Sequence, residues 1–515
     1  MKKLLLNLLI LVLWNSIYSF GQITFQKTFG GTGSDGGVSC LQTIDGGYVI
    51  TGLIENFGAG GTDIILIKTD ALGDTLWTKT FGGSNDDGGR SFQQTRDSGF
   101  IITGFSVSFN NIYLIKTNST GNLLWTKTFG GTGSPEGESV IQTSDGGYFI
   151  SGDGSNINLI KTDANGDTLW TRNFGGTGPC KTYSVQQTND GGYVITGYAQ
   201  GSVTSVDYYL LKLNVTGDSM WSKTYGSMGN EVGRSLIQTN DGGYMIAGNT
   251  IFGFGATGED IYLLKLDSSG NVLWSKTYGG INEDRAYSIV QTADMGFIIA
   301  GSTKSFGVGD EDVYLLKTDS NGIVQWSKTF GGSGWDEARS VRKAADGGYI
   351  ITGFSASFNA GDFDIYLIKT DANGNSGCNQ GIGTTISDTA ATITGSTGFL
   401  ISSGSPVTSP ATITGSGFPL TTICFNNSVN EIEIDNSNFI YPNPSNGNFT
   451  ISLANSLNNV SIEIYNILGE KIFQENVNTT SLKRINLTNI SRGLYFVNVY
   501  DGQNKYTRKL IVAYD

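Results

Sequence analysis

SLIQTNDGGYMIAGNTIFGFGATGEDIYLLKLDSSGNVLW, residues 235 to 274, is the stretch from which the rest of the chain can be read. It divides into four short strands. Residues 235–239 and 243–247 are apolar-rich runs joined through Asn240-Asp241-Gly242, a tight turn whose glycine tolerates positive φ. Residues 260–267 form a third run, and Ser268-Ser269-Gly270-Asn271 turns the chain into a fourth that carries Trp274, Lys276 and Tyr278. A unit of this size cannot bury both faces of its own sheet, so it must stack against others like it.

Copies are present. Trp77, Trp125, Trp170, Trp221, Trp274 and Trp326 recur every 45 to 53 residues, and Phe25 takes the tryptophan's place one period before the first. The turn aspartate recurs as Asp45, Asp97, Asp145, Asp190, Asp241, Asp294 and Asp346. Seven four-stranded units predict an all-β fold, a seven-bladed β-propeller over residues 22–378. Residues 23–29, ITFQKTF, match the fourth-strand pattern LWTKTF with no first three strands before them, and the last repeat stops where its fourth strand is due. The strand at 23–29 is therefore expected to complete the last blade and close the ring, which removes two open sheet edges.

Composition narrows the function. The formal net charge of -13 and the lack of a basic cluster argue against nucleic acid or an anionic membrane as partner. Histidine is absent, which removes Ser-His and Cys-His nucleophilic pairs and histidine metal sites, so any catalysis would rest on carboxylates, Tyr, Lys or Arg. The turns Asp163-Ala-Asn-Gly-Asp167 and Asp371-Ala-Asn-Gly374 lack the later glutamate of a calcium loop and read as ordinary tight turns. No metal or cofactor is expected. Residues 1–21 carry two lysines, an apolar run from Leu4 to Trp14 and small residues at Ser19 and Gly21, the pattern of a secretory signal peptide. No later segment reads as a membrane-spanning helix. Of four cysteines, Cys378 and Cys424 flank one segment and are expected to pair in an exported chain, whereas Cys40 and Cys180 are expected to stay unpaired.

Residues that recur in register suit a framework role. Lys68, Lys116, Lys161, Lys212, Lys265, Lys317 and Lys369 close the third strand and are expected to pair with turn carboxylates. Gln42, Gln94, Gln142, Gln187, Gln238 and Gln291 are expected to satisfy backbone groups near the channel. Variation marks the candidate site. The loops between second and third strands differ in length, and loops on a rigid scaffold are the usual place for recognition. The inter-blade loops on the same face carry Asp35, Asp87, Glu231, Asp284 and Asp336 four residues before a serine, with Glu136 displaced by one and Cys180 in the fourth blade. One residue before that serine stand Val38, Arg90, Glu138, Tyr183, Arg234, Tyr287 and Arg339, with Trp335 close by. A mixed ring of Arg, Tyr and Glu at a channel mouth suits a polar ligand. In the alternative, the acids cap backbone amides and the ring is a solvated rim.

Beyond the repeats, residues 379–438 turn to Thr, Ser, Gly and Ala. Here ATITGS at 391–396 recurs at 411–416, which predicts a linker holding a hairpin stapled by Cys378 and Cys424. Residues 439–515 lose the 50-residue period and predict a small antiparallel Ig-like β-sandwich. The repeat, as in Tyr48-Val-Ile-Thr-Gly52 and Leu76-Trp-Thr-Lys-Thr80, resembles kelch-type propeller repeats, with Thr-Gly or Ala-Gly where kelch has a double glycine. The C-terminus, with Tyr441-Pro442-Asn443-Pro444, Gly447, Ile464-Tyr-Asn-Ile-Leu-Gly469, Gly493-Leu-Tyr495 and Lys509-Leu-Ile-Val512, resembles the type A sorting domain of the Bacteroidota type IX secretion system. That resemblance implies export through a signal peptide, engagement of the type IX machinery, and a secreted or cell-surface destination. It says nothing of the passenger's activity.

The expected function is an exported binding propeller for an extracellular glycan or protein, without chemistry of its own. Two other readings stay open. One is a carboxylate-based glycan-degrading enzyme using Glu136 and Glu138 or Asp336 and Glu337 as acid and base. The other is a structural surface protein whose propeller is a spacer.

Overall fold

The computed structural model describes residues 22–381 except 108–110, 131–134, 176–177, 201–204, 255–257, 359–361 and 379. Beyond 381 it describes the strands named below and residues 445, 447, 470, 487, 490 and 491. The chain divides into two units, Met1–Ser428 and Val429–Asp515. The signal-peptide expectation and Pro442, Asn443, Pro444 and Gly469 lie outside the described residues, as do the side chains of Cys424, Tyr441 and Lys509.

The first unit is all-β, with antiparallel sheets arranged as in a propeller. The sequence unit quoted above becomes Asn230–Gln238, Tyr244–Ile251, Glu259–Leu266 and Val272–Gly279, paired in that order. Third strands such as Asp364–Thr370, DIYLIKT, are buried at every position. A sheet covered on both faces by its neighbours loses the in-out alternation of a half-buried strand. Each hydrophobic cluster is accordingly shared by two consecutive sheets. Met245 and Leu263 pack with Ile299 and Leu316, and a cluster of Cys40, Ile50 and Ile65 with Ile350, Ile365 and Leu367 joins the last sheet to the first. The strand Ile23–Phe29 lies in that last sheet, with Phe25 opposite Lys369 and Phe29 opposite Ile365.

Polar side chains stitch the sheets together. The third-strand lysines are buried and each reaches its own turn aspartate, as in Lys68–Asp45 at 2.9 Å and Lys317–Asp294 at 2.9 Å. Gln238 Oε1 accepts the Asn189 amide of the preceding repeat and Gln291 Oε1 that of Asn240. Gln238 Nε2 also donates to the Gly242 carbonyl of its own turn. The D-x-x-G turn glycines have positive φ, 74° at Gly270 and 73° at Gly322. Their Cα atoms also face the preceding tryptophan, so a β-carbon would lie 2.9 Å from Trp221 and 2.8 Å from Trp274. Asp163 and Asp371 accept amides of their own turns, Asn165 and Asp167 in the first and Asn373 and Asn375 in the second.

The segment after the repeats differs from the expected hairpin. Its two ATITGS copies contribute strands to different sheets, Ile393–Gly395 beside Ser219–Gly226 and Ile413–Gly415 beside Thr75–Gly82. Gln380–Gly381, Ile386–Thr389, Leu400–Ser402, Val407–Thr408 and Leu420–Asn427 add one strand to each of the other five sheets. The segment thus runs as a belt past every sheet, visiting them in reverse order and covering each fourth strand. Ile386, Ile393, Leu400, Val407, Ile413 and Leu420 open these strands at six- or seven-residue steps. Seven residues reach at most roughly 25 Å, which bounds each step of the belt. At the belt's end Cys424 stands opposite Gln26, whose Nε2 donates to the Cys378 carbonyl. Cys378 is disulfide-bonded, and Cys40 and Cys180 are free.

The second unit contains a three-stranded sheet, Ile440–Tyr441, Asn448–Ser452 and Leu482–Asn486. A four-stranded sheet holds Lys471–Val477, Val460–Asn466, Gly493–Tyr500 and Lys505–Val512. Phe449, Ile462, Ile464, Val497 and Leu510 form one core from both. Gly447 has a φ of 97°, and buried Tyr495 donates its hydroxyl to the Ser491 carbonyl at 2.8 Å.

Candidate functional site

The site begins with a backbone irregularity repeated seven times. In the first strand of every repeat the register shifts just before the serine, between Gly37 and Ser39 in the first and between Gly233 and Ser235 in the fifth. The residue skipped is a β-bulge, the unpaired extra residue whose side chain is turned out of the ladder. Those seven residues are Val38, Arg90, Glu138, Tyr183, Arg234, Tyr287 and Arg339. The strand opposite explains the Thr-Gly and Ala-Gly pairs. A β-carbon on Gly248 would fall on the Val232 carbonyl oxygen and one on Gly104 on that of Gly88, so only glycine admits the bulge.

The seven bulged residues converge with the seven serines and Arg342 on one narrow cavity of about 120 Å³. Several serines are latches between sheets. Ser184 Oγ accepts the Leu236 amide at 3.3 Å and Ser288 Oγ the Val341 amide at 3.1 Å. Half of the ring is one continuous stack. The Arg234 guanidinium lies 4.4 Å from the Tyr183 ring and 5.5 Å from that of Tyr287, and Arg339 lies 4.2 Å from Tyr287 and 5.2 Å from Phe354. The neighbouring cleft, about 320 Å³, shares Val38, Arg90 and Arg339 with this cavity. Its apolar wall is Trp335, Phe354 and Phe363, with Trp335 edge-on to Phe363 at 5.9 Å and 42% exposed. The cavity therefore brings together all seven ring residues named from the sequence, and Trp335 stands in the adjoining cleft. Phe354 and Phe363, in and beside a variable loop, were not singled out, because the sequence does not show which loop aromatics turn inward.

Charge is unevenly matched around the ring. Arg90 pairs with Glu136 at 2.9 Å and Arg339 with Glu337 at 2.6 Å. Lys181 holds Glu138 at 3.1 Å and Asp153 at 2.5 Å. Burial raises the pKa of Glu138, and Lys181 and Arg90 offset part of that rise. Burial likewise lifts the Tyr183 phenol, against the pull of Arg234 and Lys181. Arg234 has no carboxylate partner among the described residues, and its buried Nε lacks an acceptor. Glu136, Glu138 and Asp153 lie close enough to hold a cation, but the Lys181 ammonium already sits among them.

The carboxylates considered for catalysis are committed to structure. Glu136, Glu138 and Glu337 are ion-paired, and Asp336 Oδ2 accepts the Gly332 amide at 2.9 Å. Asp35, Asp87, Glu231 and Asp284 cap the equivalent loop amides of Gly31, Gly83, Ser227 and Gly280.

Two family models match the chain. Residues 63–337 match "Outer membrane protein assembly factor BamB", and residues 439–513 match "Secretion system C-terminal sorting domain". The latter indicates type IX secretion to the cell surface or extracellular space, and no helix among the described residues is long and apolar enough to cross a membrane. Among curated proteins, an endo-acting ulvan lyase of Formosa agariphila is 38% identical over 74 residues, 14% of either chain. A regulatory protein, FlaEY, of Caulobacter vibrioides is 27% identical over 190 residues, 31% of this chain and 20% of its own. The chain thus spans a fifth or less of the length of these relatives. A solved protein of unknown function from Bacteroides caccae is 12% identical with a TM-score of 0.36, covering 59% of this chain and 93% of its own. One from Bacteroides thetaiotaomicron is 12% identical with a TM-score of 0.31, covering 67% and 94%.

Proposed function

We propose that this chain, which belongs to the family described as outer membrane protein assembly factor BamB and ends in a secretion-system sorting domain, is an exported seven-bladed propeller that binds an extracellular glycan. In this reading the seven sheets are the blades of one ring, and the second unit is an Ig-like sandwich. The type IX machinery engages that unit through Tyr441, Pro442, Asn443, Pro444, Gly447, Gly469, Gly493, Tyr495 and Lys509. The ligand sits on the axial cavity and its cleft, against Arg90, Glu138, Tyr183, Arg234, Tyr287, Trp335 and Arg339.

The observation that carries the reading is the cleft walled by Trp335, Phe354 and Phe363 and edged by Arg90 and Arg339. Aromatic walls accept the C–H faces of a sugar ring, while guanidinium and hydroxyl groups at the edge take up its hydroxyls. The test is affinity electrophoresis of the secreted protein through gels each holding one polysaccharide. Retardation in a gel is expected, and Trp335→Ala, or Arg90, Arg234 and Arg339 changed together, should abolish it. Unretarded migration in every gel would overturn the glycan reading in favour of a protein partner or a spacer.

A further inference from the structure

Three arginines occupy bulged positions on the ring, and they are not equivalent. Arg90 and Arg339 are each neutralised by a glutamate of their own neighbourhood, so what they offer a ligand is mainly donors on a pair with no net charge. Arg234 is held differently. Its guanidinium lies between Tyr183 and Tyr287, as that of Arg339 lies between Tyr287 and Phe354, and its buried Nε, like that of Arg90, has no acceptor, but it alone of the three makes no ion pair among the described residues. Arg342, also on the cavity, donates to its own neighbour's carbonyl, that of Val341, at 3.0 Å. A stacked guanidinium is fixed in plane and keeps its positive charge at any physiological pH. Its edge presents parallel N–H donors suited to a planar or tetrahedral oxyanion.

Resting on the reading of the cavity as a glycan site, we infer that Arg234 is the anion reader of this propeller and that the glycan it takes carries carboxylate or sulfate groups. The geometry favours one charged substituent on an extended ligand. The cavity is only about 120 Å³, and Arg234 lines it with Tyr183 and Tyr287 at its faces. The adjoining cleft would hold the neighbouring sugar ring against Trp335. The arrangement also explains why an unpaired guanidinium persists in a ring where every other bulged charge is matched: its partner arrives with the ligand. Stacking on two tyrosines stabilises the cation meanwhile.

The test is isothermal titration of the full secreted protein with three oligosaccharide families of matched length, one uronate-bearing, one sulfated and one neutral. At least one anionic family should bind more tightly than the neutral one, and more weakly as salt rises. Arg234→Gln should cost the anionic ligand on the order of 10- to 100-fold in Kd and erase its advantage over the neutral ligand. Arg234→Lys, which keeps the charge but loses the planar fork, should recover only part. The carboxylate and sulfate arms tell the two sources of anion apart. Equal affinity for anionic and neutral families, unchanged by Arg234→Gln in a variant of native melting temperature, would overturn the anion inference and leave glycan binding standing. Binding in none of the three would overturn both.

Discussion

At the scale of the residue, seven glycines admit the bulges that turn seven ring side chains out of the ladder. Gly52, Gly104, Gly152, Gly197, Gly248, Gly301 and Gly353 each face the residue before a bulge, and at Gly248 a β-carbon would meet the Val232 carbonyl oxygen. Gly248→Ala must therefore open the bulge or push the two strands apart. We expect a loss of about 2–4 kcal/mol, the range of core overpacking, read as a lower melting temperature. The glycan binding proposed for this face should weaken with it, because Arg234 would be displaced from between the tyrosines. The ring residues were legible in the sequence by their register one position before a recurring serine. That they are bulged was not, since a bulge is a count of pairings between two strands and the sequence supplies only one strand at a time.

At the scale of the element, the loops between sheets carry opposed carboxylates. Asp207 faces Glu231, and Asp260, Asp312 and Asp364 face Asp284, Asp336 and Asp35, each pair closing over a glycine that could not carry a β-carbon. Burial and the facing acid push Asp207 up to about 7 and Asp260, Asp312 and Asp364 up to about 6. In the unfolded chain these groups titrate near 3.9. The folded state thus holds more protons between those values, and stability should fall as pH rises from about 4 through 7. The turn aspartates act with the opposite sign. Against burial, which raises them, Asp190 and Asp294 are held down to about 2 by their lysines and threonines, so their contribution is lost as pH falls from about 4 to about 2. A melting-temperature profile should accordingly peak on the acid side of neutrality. Asp207→Asn, which removes one of two facing charges, should flatten the alkaline limb and raise stability at pH 8 by about 1–3 kcal/mol. The third repeat already has Asn156 at the matching place, over Gly175. A flat profile from pH 5 to 8 would contradict this account. Asp35, Asp87, Glu231, Asp284 and Asp336 each accept a loop amide, the half of the alternative reading that concerns the acids.

At the scale of the whole molecule, the belt from Gln380 to Asn427 covers the outer edge of every sheet. An uncovered fourth strand would present unpaired amides and carbonyls to any other chain. Deleting residues 379–428 together with Cys378→Ser should leave the repeats able to pair internally but prone to self-association, visible as a shift to higher mass in light scattering. Cys378→Ser alone should lower the melting temperature through the loss of a cross-link, by about 2–4 kcal/mol, while the mass in light scattering stays that of the unaltered protein. An unchanged mass and melting temperature in the deletion would show that the belt protects nothing.

What the sequence determined by itself is whatever repeats or turns locally. The 50-residue period, the Asp-Gly-Gly and D-x-x-G turns, the strand at 23–29 standing in for a missing fourth strand, and the sorting motif are all readable from recurring or contiguous residues. Three things were decided only by the tertiary structure. The belt's strands are two to eight residues long and find their partners on sheets far away in the chain, so two identical ATITGS copies read as a hairpin until the sheets claim them separately. The bulges arise from pairing. The third is which arginine stays unpaired. Arg90, Arg234 and Arg339 share one register position; Glu337 stands two residues before Arg339 in the same strand, but only packing brings Glu136 to Arg90 and two tyrosines to Arg234. An ion pair forms over a few ångströms of space whatever the separation along the chain, and that distance exists only once the sheets have closed on one another.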